Sequence, residues 1–144
     1  AFTAFLGEPT PRIKQLLDVT EQSLYEAVSR AVPGARVGDL GHTIQTLCEK
    51  QNFGVIREYV GHGIGRKLHE EPPVPNYGKA GTGVLLKAGM CIAIEPMTTT
   101  GSWKTRTLDD RWTVETIDGS LAAHFEHTVL ITPTGPEILT APVH

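Results

Sequence analysis

An α+β fold, with helices on one face of a curved, mostly antiparallel sheet, is what this sequence predicts. Three observations carry the prediction. Apolar residues recur at helical spacing in two stretches of the first third of the chain. Beyond them the pattern changes to short runs that alternate with period two. Turn signals such as Asp118-Gly119 and Thr134-Gly135 punctuate those runs. With 144 residues, 40% hydrophobic and 20% charged, the chain can bury one core and is too apolar to be largely disordered.

The elements follow in order. Residues 1–6, Ala-Phe-Thr-Ala-Phe-Leu, read as the middle of a strand, so the sequence is expected to lack an N-terminal portion. Gly7 to Pro11 is a turn and helix entry, with Thr10 as cap and Pro11 in the first helical turn. Ile13, Leu16, Leu17, Leu24, Ala27 and Val28 give that helix its apolar stripe, and Pro33-Gly34 stops it. A second helix is expected from about Asp39, striped by Leu40, Ile44, Leu47 and Cys48, with Gly54 as its C-cap. Strands are expected over residues 55–60, 90–97, 111–116, 121–132 and 138–140. Asp118-Gly119 is expected to join two of them as a hairpin, and the Gly- and Pro-rich residues 61–87 to form mostly loop.

Composition excludes some functions. The net charge is −3, and the basic residues Lys14, Arg30, Lys50, Arg57, Arg66 and Lys104 are scattered, which is no footprint for nucleic acid. No apolar run approaches the roughly 20 residues of a bilayer span, and no basic-then-apolar signal segment opens the chain. Cys48 and Cys91 lack CxxC spacing and read as two buried, reduced thiols of a cytosolic protein.

Two motif-like stretches fail on their chemistry. Gly61-His62-Gly63-Ile64-Gly65 has Arg66 where a dinucleotide fingerprint needs its third glycine, and Pro72-Pro73 forbid the helix that should follow. His69-Glu70-Glu71-Pro72-Pro73 starts like HExxH but ends on proline instead of the second histidine. What remains is His62 between glycines that allow close approach, and His69 seven residues on.

Two acids stand in apolar strands. Glu95 shares a face with Cys91 and Ala93, and Pro96 holds it extended. Glu126 shares a face with His124 and Thr128, while Phe125, His127 and Val129 share the other. An ionised carboxylate on such a face needs solvent, an ion-pair partner or a metal. One shared metal would account for His62, Glu95 and Glu126 together, since a nitrogen and two carboxylates suit Mn, Fe, Co or Zn.

These residues also carry a resemblance. Residues 61–66 through His69-Glu70-Glu71-Pro72, Ile94-Glu95-Pro96-Met97, Asp110-Arg111-Trp112-Thr113-Val114 and Phe125-Glu126-His127-Thr128 resemble type I methionine aminopeptidases, in the right order over roughly residues 5–140. The resemblance implies the pita-bread fold, with residues 1–144 as the C-terminal part of one metallopeptidase domain. It implies two divalent ions (Co, Mn, Fe or Zn), with His62, Glu95 and Glu126 as metal ligands. Glu95 would serve as general base, His69 would contact the scissile peptide, and Leu68 and Trp112 would line the methionine pocket. Leu68 departs from the aromatic residue often found there.

Two ligand aspartates and an assisting histidine of the family have no counterpart here; Asp18, Asp39, Asp109, Asp110 and Asp118 occupy other contexts. The chain alone is therefore expected to bind at most one ion weakly, to hydrolyse peptides poorly and to be marginally stable. The implied setting is cytoplasmic, the implied partners are nascent polypeptides with N-terminal methionine and the ribosome, and the implied state is monomeric. Alternatives are a proline-specific peptidase of the same fold and a non-catalytic binding module.

Overall fold

A computed structural model describes residues 1–141. Helix α1 spans Pro11–Ser29, and the Thr10 hydroxyl caps it by accepting the Ile13 N–H at 3.3 Å. Helix α2 spans Val37–Lys50 and begins two residues earlier than its stripe suggests. Its entry is fixed by Asp39, whose carboxylate accepts the Arg36 N–H at 2.7 Å. Asn52 turns the chain out of this helix at φ 58°, so the expected C-cap Gly54 is free to open a strand instead.

Among the described residues ten strands follow: β1 Gly54–Val55, β2 Gly61–Ile64, β3 Glu70–Val74, β4 Cys91–Ile94, β5 Met97–Thr99, β6 Thr105–Thr107, β7 Val114–Thr116, β8 Ala122–His124, β9 His127–Thr132 and β10 Gly135–Ile138. They form a five-stranded sheet in the order β10-β9-β4-β2-β3, a three-stranded sheet β1-β5-β8 and a ribbon β6-β7. All the pairings are antiparallel. The expected α+β class holds, but the one sheet is divided in two with a ribbon beside it.

Several expected elements need correction. The strand at 55–60 is only Gly54–Val55, and the strand near 138 starts earlier, at Gly135. The supposed loop at 61–87 contains the β2–β3 hairpin. Its prolines are tolerated because β3 is the edge of its sheet, where a missing N–H costs no ladder bond. The Asp118-Gly119 turn is no hairpin: β7 pairs with β6 and β8 with β5, so the turn joins two sheets. The N-terminal strand is an extended segment without strand pairing of its own, though Ala1 exchanges backbone hydrogen bonds with Glu126 and Thr3 does so through its hydroxyl with His124.

The core lies between the helices and one side of both sheets. Leu16, Leu24, Leu40 and Ile44 pack with Val55, Ile92, Ile94, Val129 and Ile131, all nearly inaccessible to solvent. A buried hydroxyl pair, Thr20 and Thr98 with their oxygens 2.5 Å apart, ties α1 to β5. Ile92 and Ile94 face this core; Ala93 is buried outside the core cluster, in keeping with the two faces read for this strand. Cys48 is buried in the core, whereas Cys91 is only partly covered, which corrects the expectation of two buried thiols.

Candidate metal centre

The site forms where two neighbouring strands break together. β4 and β9 pair up to Ile94 opposite His127, and β5 and β8 resume with Met97 opposite His124. Glu95, Pro96, Phe125 and Glu126 occupy the gap. Pro96 has no N–H to give a ladder, which accounts for the interruption on its strand. Other bonds satisfy the exposed backbone: Phe125 N–H donates to Pro96 at 3.2 Å, Glu126 N–H to Ala1 at 2.9 Å, and the Asn76 amide to the Glu95 carbonyl at 2.9 Å. The two acids thus sit at a seam between sheets, with their carboxylates outside the regular pleat.

His62 is delivered by β2. Gly61 and Gly63 flank it because a Cβ on either would run into the Ala93 or Glu71 carbonyl oxygen of a neighbouring strand. The His62 Nδ1 lies 2.9 Å from the Gly63 carbonyl, an atom that only accepts, so Nδ1 carries a proton and the neutral ring offers its lone pair at Nε2. The β2–β3 hairpin brings His69 back beside it, with ring centroids 4.1 Å apart.

Glu95 stands between two imidazoles. Its Oε1 is 3.5 Å from His62 Nε2, and its Oε2 is 3.6 Å from His124 Nε2. Donor atoms of Glu95, His124 and Glu126 all lie within 4.8 Å of one another. The expected trio is therefore only partly assembled: His62 meets Glu95, while the mutually close group has His124 in its place. His62 and Glu95 side chains are 14% and 15% exposed. A neutral ring's lone pair facing a carboxylate at that depth is compensated by a cation between them. Ligands each ~2.1 Å from one ion stand roughly 3.0 to 4.2 Å apart, a range that includes the 3.5 and 3.6 Å between Glu95 and the two imidazoles. The donor set fits a divalent metal.

The two residues expected to line a pocket face solvent. Leu68 and Trp112 are 68% and 87% exposed. Trp112 follows a turn made by Asp110, whose carboxylate accepts from the Thr113 hydroxyl and from the Trp112 and Thr113 N–H groups. Those bonds, the Thr113 hydroxyl foremost, lower the Asp110 pKa. Asp39 and Asp118 are likewise engaged with backbone N–H groups. An apolar hollow of about 350 Å³ lies beside His124, lined chiefly by Ile56, Tyr59, Met97, Val114 and Ala123. Sequence reasoning placed His124 on the strand face of Glu126 without giving it a role, and it missed Asn76, which nothing in the sequence marks.

A model of metallopeptidase family M24 matches residues 1–133. The chain belongs to metallopeptidase family M24. Among relatives of this M24 chain, methionine aminopeptidase 1 of Bacillus subtilis is 51% identical over 140 residues, which are 97% of this chain and 56% of that protein. The methionine aminopeptidase of Escherichia coli is 47% identical over 135 residues, 94% of this chain and 51% of that protein. The crystal structure of the Thermotoga maritima methionine aminopeptidase superposes with a TM-score of 0.93 at 52% identity, covering 95% of this chain and 55% of that one. The prolidase of Pyrococcus furiosus shares the fold, with a TM-score of 0.72 at 24% identity over 99% of this chain and 36% of its own. The resemblance read from the motifs is thus borne out, as is the pita-bread architecture. The M24 chain spans about half the length of the relatives it matches. Among the described residues no helix is long and apolar enough to cross a membrane.

Proposed function

We propose that this M24 chain forms the C-terminal part of a catalytic domain that removes N-terminal methionine from nascent polypeptides, with His62, Glu95 and Glu126 as metal ligands. The observation that carries the reading is the Glu95 carboxylate held between His62 Nε2 and His124 Nε2, with Glu126 in the same cluster. Two ions of the Mn, Fe, Co or Zn class suit these donors, and ions bound there would polarise a peptide carbonyl and lower the pKa of water. Glu95 would accept the proton released by the attacking water. His69, its ring 4.1 Å from that of His62 and tilted against it, would donate a hydrogen bond to the peptide as charge develops on it. Leu68, next to His69, and Trp112 would supply apolar surface for the methionine side chain.

Identity favours the methionine reading over the proline one, being 52% to a methionine aminopeptidase and 24% to a prolidase of known structure. The cytoplasm, the ribosome and a monomeric state belong to the same proposal. The test is cleavage of Met-Ala-Ser against Ala-Pro-Ser by the full gene product containing these residues. Metal-dependent release of methionine, abolished by Glu95→Gln and by His69→Ala, is expected. Preference for the proline peptide, or activity undiminished by Glu95→Gln, would overturn the reading. The 144-residue chain by itself is expected to bind one ion at most and to cleave poorly; near-normal turnover with added Mn or Co would contradict that.

A further inference from the structure

His124 has no role in the resemblance, yet it faces the same carboxylate as His62 from the opposite oxygen. Position explains how it gets there. His124 and Glu126 flank Phe125 at the seam, where extended backbone sends alternate side chains to one side. The backbone is pinned by Thr3, whose hydroxyl accepts the His124 N–H at 2.8 Å and donates to its carbonyl at 2.9 Å. Although the ring is 39% exposed as a whole, its Nε2 is shut off from solvent and has no hydrogen-bond partner. The nearest charged atom, Glu95 Oε2 at 3.6 Å, is too far for a hydrogen bond. A polar nitrogen buried without a partner is costly. A cation shared with Glu95 and Glu126 removes that cost: the 3.6 Å to Glu95 Oε2 suits two atoms ligating one ion, and a Glu126 oxygen lies within 4.8 Å of a donor atom of each residue.

We propose that His124 is itself a metal ligand, so that this chain offers two imidazole nitrogens and two carboxylates: His62, His124, Glu95 and Glu126. The proposal rests on the metal reading of the site given above. Its chemical consequence is selectivity. A second imidazole raises affinity for Co, Zn and Fe more than for Mn, which is content with oxygen donors.

The experiment is calorimetric titration of the 144-residue chain with cobalt and with manganese, joined to X-ray absorption at the cobalt edge. Two imidazole scatterers are expected in the wild type and one in His124→Gln and His124→Ala, with cobalt affinity falling about tenfold or more and manganese affinity falling less. A single imidazole in the wild type would overturn the proposal without needing any variant to fold. So would an unchanged imidazole count in both variants, since His124 would then act only by orienting Glu95. Unaltered cobalt binding in Glu95→Gln would instead sink the metal reading, and the proposal with it. Lost binding in Glu95→Gln alongside unaltered binding in both His124 variants leaves the metal reading standing and removes His124 from it.

Discussion

At the residue scale, the histidine of β2 depends on what its neighbours lack. Gly63 passes so close to the Glu71 carbonyl that Gly63→Ala must push the two strands apart. A cost of about 1–3 kcal/mol is expected, as for other overpacked sites, and is read from urea denaturation. An unchanged midpoint would show that the hairpin gives way freely. The two cysteines provide a second residue-level check. Burial pushes the Cys48 thiol up to about 11, and raises that of Cys91 as well. Cys48 is enclosed in the core while Cys91 is partly open. A thiol reagent near neutral pH should therefore label Cys91 first and Cys48 only on unfolding, as mass spectrometry of timed samples would show.

At the element scale, the ends of elements decide more than their middles. Thr10→Ala removes the cap of α1 and should cost about 1 kcal/mol, visible as a lower denaturation midpoint. Asp118 holds the turn between β7 and β8. The Ser102 N–H first, then the Ser120 side chain and N–H, hold its carboxyl down to about 2 against an ordinary 3.8. A depressed carboxyl stabilises the fold fully above its unfolded value and loses that contribution as pH falls through the folded one. Asp118→Asn should therefore lose stability near neutral pH and show a shallower decline than wild type between about pH 4 and about pH 2. Melts across that range check it; parallel curves would deny the turn its part in acid stability.

The helices were legible because a period of 3.6, a Thr-Pro entry and a Pro-Gly exit all agree. The strand breaks were less so. Period-two alternation runs unbroken from Cys91 to Met97 and through residues 121–132, and a pattern of side chains does not record where hydrogen bonding changes partner. Only Pro96 hinted at it. The β2–β3 hairpin was hidden by Pro72-Pro73, which argue against a strand unless it is known to be an edge. His124 was placed on the face of Glu126, but only distance could give it a partner.

At the scale of the whole molecule, the site ties two sheets that otherwise meet through backbone crossings and the shared core. Ligand that binds the folded chain and not the unfolded one stabilises it, by about 2.7 kcal/mol at a hundredfold excess over Kd. Cobalt should therefore raise the thermal midpoint of this chain by several degrees, and a chelator should reverse it. In Glu95→Gln the shift should vanish. A midpoint indifferent to metal in the wild type would mean that the acids are not bridged.

The paired interruption also fixes length. Inserting a single residue after Glu126 would leave His124 and Glu126 in place but slip β9 by one against β4, turning Val129 and Ile131 outward. The same holds on the other strand for an insertion between Glu95 and Met97, which would offset β5 against β8. Stretches that look like irregular connectors are thus among the segments of this chain least tolerant of insertion or deletion.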